Sequence, residues 1–507
     1  MSRLRKTISD SADPFPCRVV IVAGTYDGVL IGWDTDEQVE EREDVIDDDE
    51  VQVCLNMSFA FSAHEGSIRS ICIANCMNKG NSAEQHQPGK VVSAGYLDES
   101  LVLLDLNKHQ QVGEAKLPIE LGTPTCIAFA PADGAPTHAL VGTSSGKIAV
   151  YSLINGDEFD EHSKVAKKRN KNKKSNIWNI VHILSGHSCT STSTAAGVSC
   201  IAVHPTGKLA LSSGNRDSTI CVWDLMKGRL AHIHKLSPRS KSSQNKVDIS
   251  NLLWSKDGVF FSFCYDSFIC VRHAITGQVF LDVDLNEGSH SNKGKRVNDM
   301  CFLSPSSTWL FLALVCDDGS LPVFCIDTRS STSSSSVIHA IMAIHGVDRV
   351  VVGTDRLKFI RSLSSFYVVT ANTGGVVSII DLSGAVKMLL SDVTTAEKET
   401  DQLNDDGDEE ELAAEFLSSV RVGTGARITY IAVWHSQNDT QYGDKSEVQQ
   451  QLNHSTNKSS LEDLSSEEAG VATDDNNDEL TIRARQLVEQ AKKRQRRGDK
   501  RQKRIHT

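Results

Sequence analysis

Apolar residues in this chain come in short runs in which they alternate with small or polar ones. Val198-Ser199-Cys200-Ile201-Ala202-Val203 is one such run, and Leu209-Ala210-Leu211-Ser212-Ser213 is the next, with Pro205-Thr206-Gly207-Lys208 between them. A period of two belongs to a β-strand, whose side chains point alternately to opposite faces. Turn residues between two such runs predict a hairpin. The layout recurs. Hairpins are predicted over Arg18–Asp34, Val91–Asp105, Ala139–Leu153, Leu209–Asp224, Val259–His273, Trp309–Asp327 and Phe366–Asp381. Single strands are predicted over Ser67–Ala74, Pro124–Ala130, Val198–His204, Asp248–Ser255, Val297–Ser304, Asp348–Gly353 and Arg427–Trp434. The hairpin tips share a shape, as in Tyr26-Asp27-Gly28, Arg216-Asp217-Ser218 and Asp317-Asp318-Gly319. Asp and Gly there are expected to supply the positive φ that tight hairpins need.

One unit carries a full signature. Gly186-His187 opens it and Trp223-Asp224 closes it. A Gly-His to Trp-Asp unit of about 40 residues marks the WD40 repeat, four strands of a propeller blade. In such repeats a tight-turn Asp pairs with the Gly-His histidine, which reaches a Ser or Thr hydroxyl and through it the Trp. His187, Asp217, Ser212 (or Ser213) and Trp223 fill those places. A His–Ser–Asp set also invites a hydrolase reading, but a set that recurs with a repeat belongs to the framework. His64 and His345 precede other predicted strands and read the same way. The chain opens on a hairpin with no strand before it. Its last predicted strand, Arg427–Trp434, has no hairpin after it. Together they predict one shared blade that latches a ring, and a closed ring leaves no free sheet edge at its seam. The expected fold is an all-β, seven-bladed WD40 propeller.

The remaining signal lies in segments the fold does not need. Eleven acids stand between Asp34 and Glu50, opposed only by Arg42, and a second acidic loop over 392–415 contains Asp405-Asp406-Gly407-Asp408-Glu409-Glu410-Glu411. Like-charge blocks of this kind stay solvated. They read either as solubilising inserts or as a dock for a basic partner. An interblade loop holds Lys164, Lys167, Lys168, Arg169, Lys171, Lys173 and Lys174. The C-terminal tail turns helical after Asp478, a candidate N-cap. It gathers eleven bases from Arg483 to Arg504, among them Lys492, Lys493, Arg494, Arg496 and Arg497. No aromatic residue interleaves, so phosphate contact or a nuclear address fits better than base stacking.

Composition narrows the function class. Net charge is −12 and 39% of residues are hydrophobic, as in a packed globular chain. The 13 cysteines include no Cys-x-x-Cys pair and sit singly in apolar stretches, which predicts buried free thiols. Neither a signal peptide nor a membrane span is expected. No phosphate loop of the Gly-x-x-x-x-Gly-Lys type, no His-Glu-x-x-His and no nucleophile elbow occurs. Val422-Gly423-Thr424-Gly425 is a lone Gly-x-Gly without a following helix. A non-enzymatic scaffold with no cofactor and no metal is the expectation.

Certain segments are more specific than the repeat. Val22-Ala23-Gly24-Thr25-Tyr26-Asp27 with Gly32-Trp33-Asp34 looks like the opening of the PAK-interacting WD40 proteins, the family of the yeast maintenance-of-killer ribosome-assembly factor. Val203 to Ser212 and Trp223 to Ala231 resemble that family's most distinctive blade. Ser93 to Glu99 and Ala426 to Thr429 are similar to its second blade and closing strand. Trp-Asp stands here where the family often has Trp-Asn, and the charged inserts are longer.

The resemblance implies a nucleolar role in assembling the large ribosomal subunit and processing its precursor RNA, with pre-ribosomal proteins and assembly factors as partners. It also implies, as an alternative, an adaptor that restrains a p21-activated kinase. Precursor RNA contact through the basic tail, a nuclear and nucleolar location and a monomer within a larger complex follow as expectations. The domain layout expected is a disordered 1–17, a propeller over 18–434 with inserts at 35–52, 160–176 and 392–415, a disordered 435–477 and a basic helical tail over 478–507.

Overall fold

The computed structural model describes residues 15–16, 18–35, 53–76, 87–131, 136–153, 178–187, 197–215, 217–236, 247–286, 295–303, 309–328, 337–340, 357–387, 414–422 and 426–436. All fall in the first of two compact units, Met1–Asn438; the second is Asp439–Thr507.

Strands dominate, and the middle strands of the blades are buried on both faces, as Val19–Thr25 and Trp309–Cys316 are along their whole length. Blade one contains β1 (Val19–Thr25), β2 (Val29–Asp34) and β3 (Asn56–Ser62). Blade two is β4 (Ile68–Cys76), β5 (Gln87–Gly95), β6 (Ser100–Asp105) and β7 (Gln110–Lys116). Blade three is β8 (Pro124–Ala130), β9 (His138–Thr143), β10 (Lys147–Ser152) and β11 (Asn179–Ser185). Blade four is β12 (Val198–Val203), β13 (Leu209–Gly214), β14 (Thr219–Asp224) and β15 (Arg229–Lys235). Blade five is β16 (Asn251–Trp254), β17 (Phe260–Tyr265), β18 (Phe268–His273) and β19 (Val279–Asp284). Blade six is β20 (Val297–Leu303), β21 (Trp309–Cys316), β22 (Val323–Asp327) and β23 (Val337–Ala340). Blade seven is β24 (Leu357–Ser362), β25 (Tyr367–Asn372), β26 (Val376–Asp381) and β27 (Glu415–Arg421). The last strand, β28 (Ile428–His435), returns to blade one, giving seven four-stranded antiparallel sheets.

The ring closes where the orphan hairpin and the orphan strand predicted it. β28 runs antiparallel to β1, with Val22 opposite Ala432 and Val20 opposite Trp434. The innermost strands β28, β4, β8, β12, β16, β20 and β24 each pack against the next around a central channel. Apolar clusters fill the wedges between blades. Val20, Val22 and Leu30 of blade one, for example, meet Ile68, Val91 and Leu104 of blade two.

Two expectations need correction. The inner strand of blade seven is Leu357–Ser362, not the predicted Asp348–Gly353, which lies outside the described residues. The positive φ at the hairpin tips falls on Gly28, Gly146, Asp266, Gly319 and Gly375 as expected, but in two blades it falls on Glu99 and Ser218. In blades two and four the tip aspartates, Asp98 and Asp217, are thus freed to accept hydrogen bonds while the next residue makes the turn. His345, the N-terminal 1–14, the charged inserts and the C-terminal tail lie outside the described residues.

Closure makes the seam energetically central. Ile431 in β28 is fully buried, so Ile431→Asp is expected to cost more than about 4 kcal/mol. Met57→Asp, at an outer-strand residue 68% exposed, is expected to stay within about 0.5 kcal/mol. Urea unfolding of the two variants checks this contrast.

Candidate functional site

On blade four the polar set forms one connected chain. His187 lies between β11 and β12, with Nδ1 2.7 Å from Asp217 Oδ2 and Nε2 2.7 Å from Ser212 Oγ. Trp223 Nε1 donates to the same Ser212 oxygen at 2.7 Å. Asp217 Oδ1 accepts the Thr219 N–H at 2.9 Å. An indole N–H only donates. With Ser212 already accepting from Trp223, the assignment that satisfies every group has Ser212 donate to His187 Nε2 and the proton on Nδ1 point at Asp217. Ser213 does not belong to the set: its hydroxyl bonds Ser199 Oγ at 2.8 Å. Gly214 is required here, because a Cβ at that position would overlap the Asp217 carboxylate and the His187 ring.

Blade two carries a second copy. His64 Nδ1 lies 2.9 Å from Asp98 Oδ2 and Nε2 lies 2.8 Å from Ser93 Oγ. Leu104 occupies the place of Trp223, opposite Val91 in the sheet, so this copy has three members. In both copies burial raises the aspartate. The hydrogen bonds from the histidine and the neighbouring Ser or Thr more than offset this, and the carboxyl ends below its usual range.

The chemistry of this set is structural. Ser212 is fully buried and its oxygen is held by the indole, so it has no path to a substrate. Burial also disarms the thiols: Cys72, Cys126 and Cys264 are pushed up to about 12. The thiolate is the reactive form. The ten cysteines with described side chains, from Cys54 to Cys325, are free, and no group of three or more metal-ligating side chains occurs among the described residues.

The channel is where the inner strands converge, with a cavity of about 670 Å³. A belt of polar contacts links every pair of neighbouring inner strands around it. Ile127 N donates to Ser70 Oγ at 3.1 Å, and Thr125 Oγ1 donates to Val198 O at 2.6 Å. Cys200 Sγ reaches Ile249 O, just before β16, at 3.6 Å. The Asn251 amide donates to Asp299 Oδ1, and Asp299 Oδ2 accepts from Arg361 and, at 3.1 Å, from Ile360 N. The Arg361 guanidinium lies 5.2 Å from the Tyr430 ring centroid, and Ser70 hydrogen-bonds Tyr430 to complete the circuit.

Asp299 is only 3% exposed. Burial pushes its carboxyl upward, against the pull of Arg361 and of the Ile360 and Met300 N–H groups. Arg361 is held above its ordinary range: burial lowers it, and the Asp299 charge overcomes that. Sequence reasoning passed over Asn251, Asp299, Arg361 and Tyr430. The available signal was a charged or amide residue in the middle of an otherwise apolar inner strand.

The family described as WD domain, G-beta repeat, matches residues 178–224. That stretch runs from β11 of blade three through β14 of blade four, so it contains the whole His187–Asp217–Ser212–Trp223 set. The chain is a WD40-repeat propeller. This WD40 propeller is 25% identical over 240 residues to the p21-activated protein kinase-interacting protein 1-like of Danio rerio, covering 47% of this chain and 46% of that one. The Gallus gallus protein of the same name is 25% identical over 313 residues, 61% of each chain. Shk1 kinase-binding protein 15 of Schizosaccharomyces pombe is 23% identical over 241 residues, covering 47% of this chain and 52% of that one. The chain thus matches about half to three fifths of the length of these relatives. Among solved structures, the Cps50 (Swd1) β-propeller domain of Myceliophteria thermophila aligns with a TM-score of 0.43 at 9% identity. That alignment covers 69% of this WD40 propeller and 89% of that domain.

The sequence-predicted phosphate or address residues Lys167, Lys168, Arg169, Lys492, Lys493, Arg494, Arg496 and Arg497 lie outside the described residues.

Two stability outcomes follow. Asp217→Asn is expected to cost about 1–3 kcal/mol at pH 7. Because the Asp217 carboxyl is depressed in the folded chain, the stability it adds is present above its unfolded value near pH ~3.9 and lost as pH falls through the folded one. The gap between wild type and Asp217→Asn should therefore narrow in acid, as read from urea midpoints at neutral and acidic pH. Arg361→Met strands the Asp299 carboxylate in the belt and is expected to cost about 3 kcal/mol or more, read from the same unfolding curves.

Proposed function

We propose that this WD40 propeller is a non-enzymatic scaffold in the nucleolar assembly of the large ribosomal subunit and the processing of its precursor RNA. The observation that carries the reading is the resemblance of Val203 to Ser212 and Trp223 to Ala231 to the distinctive blade of the maintenance-of-killer family. Folding alone does not account for all of it. Met226 in that segment is 73% exposed, and Lys227 and Arg229 are exposed beside it.

Charge placement adds support. Eleven bases stand between Arg483 and Arg504, a composition suited to phosphate contact or to a nucleolar address. The acidic inserts leave from β2 and β26 of adjacent blades, at the same end of the ring. That placement suits a basic protein partner. The partners in this reading are pre-ribosomal proteins and assembly factors, with precursor RNA engaged by the basic tail. The location is the nucleus and nucleolus, and the chain acts as one copy in a larger complex.

The names of the relatives favour a second reading. Three relatives are named p21-activated protein kinase-interacting protein 1-like and one is named Shk1 kinase-binding protein 15. In this reading the propeller is an adaptor that binds and restrains a p21-activated kinase.

Affinity purification of the tagged full chain separates the two. The first reading expects large-subunit precursor RNA and assembly factors in the eluate, and a smaller large-subunit peak on depletion. A kinase in the eluate with no ribosomal precursor would select the second. Removal of 478–507 is expected to shift the chain out of the nucleolus, followed by imaging.

A further inference from the structure

The end of the channel where the inner strands begin carries an uneven charge. Four consecutive blades place a cation there. Arg296 stands immediately before β20, Lys358 is the second residue of β24, Arg427 stands immediately before β28, and Arg69 is the second residue of β4. Arg69, Arg296 and Arg427 are exposed and Lys358 is half-buried. None of the four has an ion-pair partner among the described residues.

Three of these cations, Arg296, Lys358 and Arg427, are close enough to act on one another. Lys358 is lowered from its ordinary value by burial and then by the charges of Arg427 and Arg296. A crescent of like charge held by strands that the ring fixes in place cannot spread apart to relieve itself. An incoming anion would relieve it. The chain as a whole carries −12 and exposed Asp27, Glu65 and Asp318 stand at the same end, so the positive charge is confined to the starts of these four inner strands.

Apolar groups border the same crescent. The Arg69 guanidinium lies 4.1 Å from the Tyr96 ring centroid. At the hairpin tips of blades one and two, Tyr26 is 59% exposed and Leu97 is 66% exposed. Ile119, in the connection from blade two to blade three, is 93% exposed. The facing inner strands β8 and β12 offer Thr125 and Ser199, and exposed Asp248 precedes β16. The chain's acidic inserts are anchored at Thr35 and Val53 and at Lys387 and Ala414, which lie at the opposite end of the ring.

We propose that this mouth seats an extended acidic segment of a protein partner. The partner's carboxylates meet Arg296, Lys358, Arg427 and Arg69, and an aliphatic or aromatic side chain packs against Tyr26, Tyr96 and Leu97. The exposed aliphatic groups favour a peptide over a nucleic acid, whose phosphates would answer the charge but leave Leu97 and Ile119 uncovered. This inference does not depend on whether the chain serves ribosome assembly or a kinase.

Fluorescence anisotropy of the full-length chain tests it, with a labelled short peptide of alternating Glu and Leu as the probe. Binding is expected to weaken with added salt and to fall roughly tenfold or more in the double variant Lys358→Glu with Arg427→Glu. The double variant Arg69→Glu with Arg296→Glu, at exposed positions, should show the same loss with an unchanged melting temperature, which excludes a folding defect. Equal affinity for a Lys–Leu peptide would overturn the proposal, as would affinity that survives both double variants. An RNA oligonucleotide that binds with the same dependence on the four cations, while the acidic peptide does not bind, would replace it with a nucleic-acid site.

Discussion

The pairing of β28 with β1 is the constraint on which the other blades depend. Seven wedge-shaped sheets bury their faces only when each has a neighbour on both sides. The last neighbour exists only if residues near 430 return to residues near 20. Ser436 secures one end of that pairing: Ser436 N donates to Arg18 O at 2.9 Å and Arg18 N donates to Ser436 Oγ at 3.0 Å. Tyr26 N also donates to Arg427 O at 2.9 Å, beyond the bulge that ends the register. A ring formed this way is committed late, because its closing contact spans almost the whole described chain.

Inside the ring, order is kept by two kinds of polar network with different reach. The His187 and His64 sets each act within one blade and its incoming connection, fixing a hairpin tip against a strand. The belt through Asn251, Asp299, Arg361, Tyr430 and Ser70 acts between blades and fixes their angular spacing. Both are expensive to leave half-satisfied. That shared property explains why Ser212 and Asp299, polar and buried, tolerate their surroundings: each has several partners. It also makes the channel wall rigid, which is what a charged mouth needs if its cations are to remain close.

The parts legible in the sequence were those where local pattern and burial agree. Hairpins such as Leu209–Asp224 show their alternation plainly, and the Gly-His to Trp-Asp unit identifies its own polar set. The inner strand of blade seven was misplaced for a physical reason. The run Asp348 to Gly353 holds three consecutive β-branched residues, Val350 to Val352, whereas Leu357 to Ser362 sets Lys358 and Arg361 among its apolar residues. Those charges look foreign to a strand until one knows that a propeller's innermost strand turns one edge to a channel. Asp299 was obscured in the same way. The outer strands, such as β7 and β15, left no clear trace because they bury few side chains. The turn at Arg216-Asp217-Ser218 misled in another respect. Its geometry is carried by Ser218, and Asp217 was placed at the tip for bonding.

Because Arg18 and Ser436 are hydrogen-bonded neighbours, position in this molecule is better measured as an angle than as a residue number. On a circle of seven sectors the anchors of the two acidic inserts, Thr35 with Val53 and Lys387 with Ala414, fall in adjoining blades, although more than 300 residues of chain separate them. Val53 and Leu55, at the foot of the first insert, pack in one cluster with Leu363, Val377 and Ile379 of the blade that holds the second. Circular geometry therefore brings the anchors of two distant segments into neighbouring blades. A rearrangement that opened the circle at any other junction would preserve that neighbourhood.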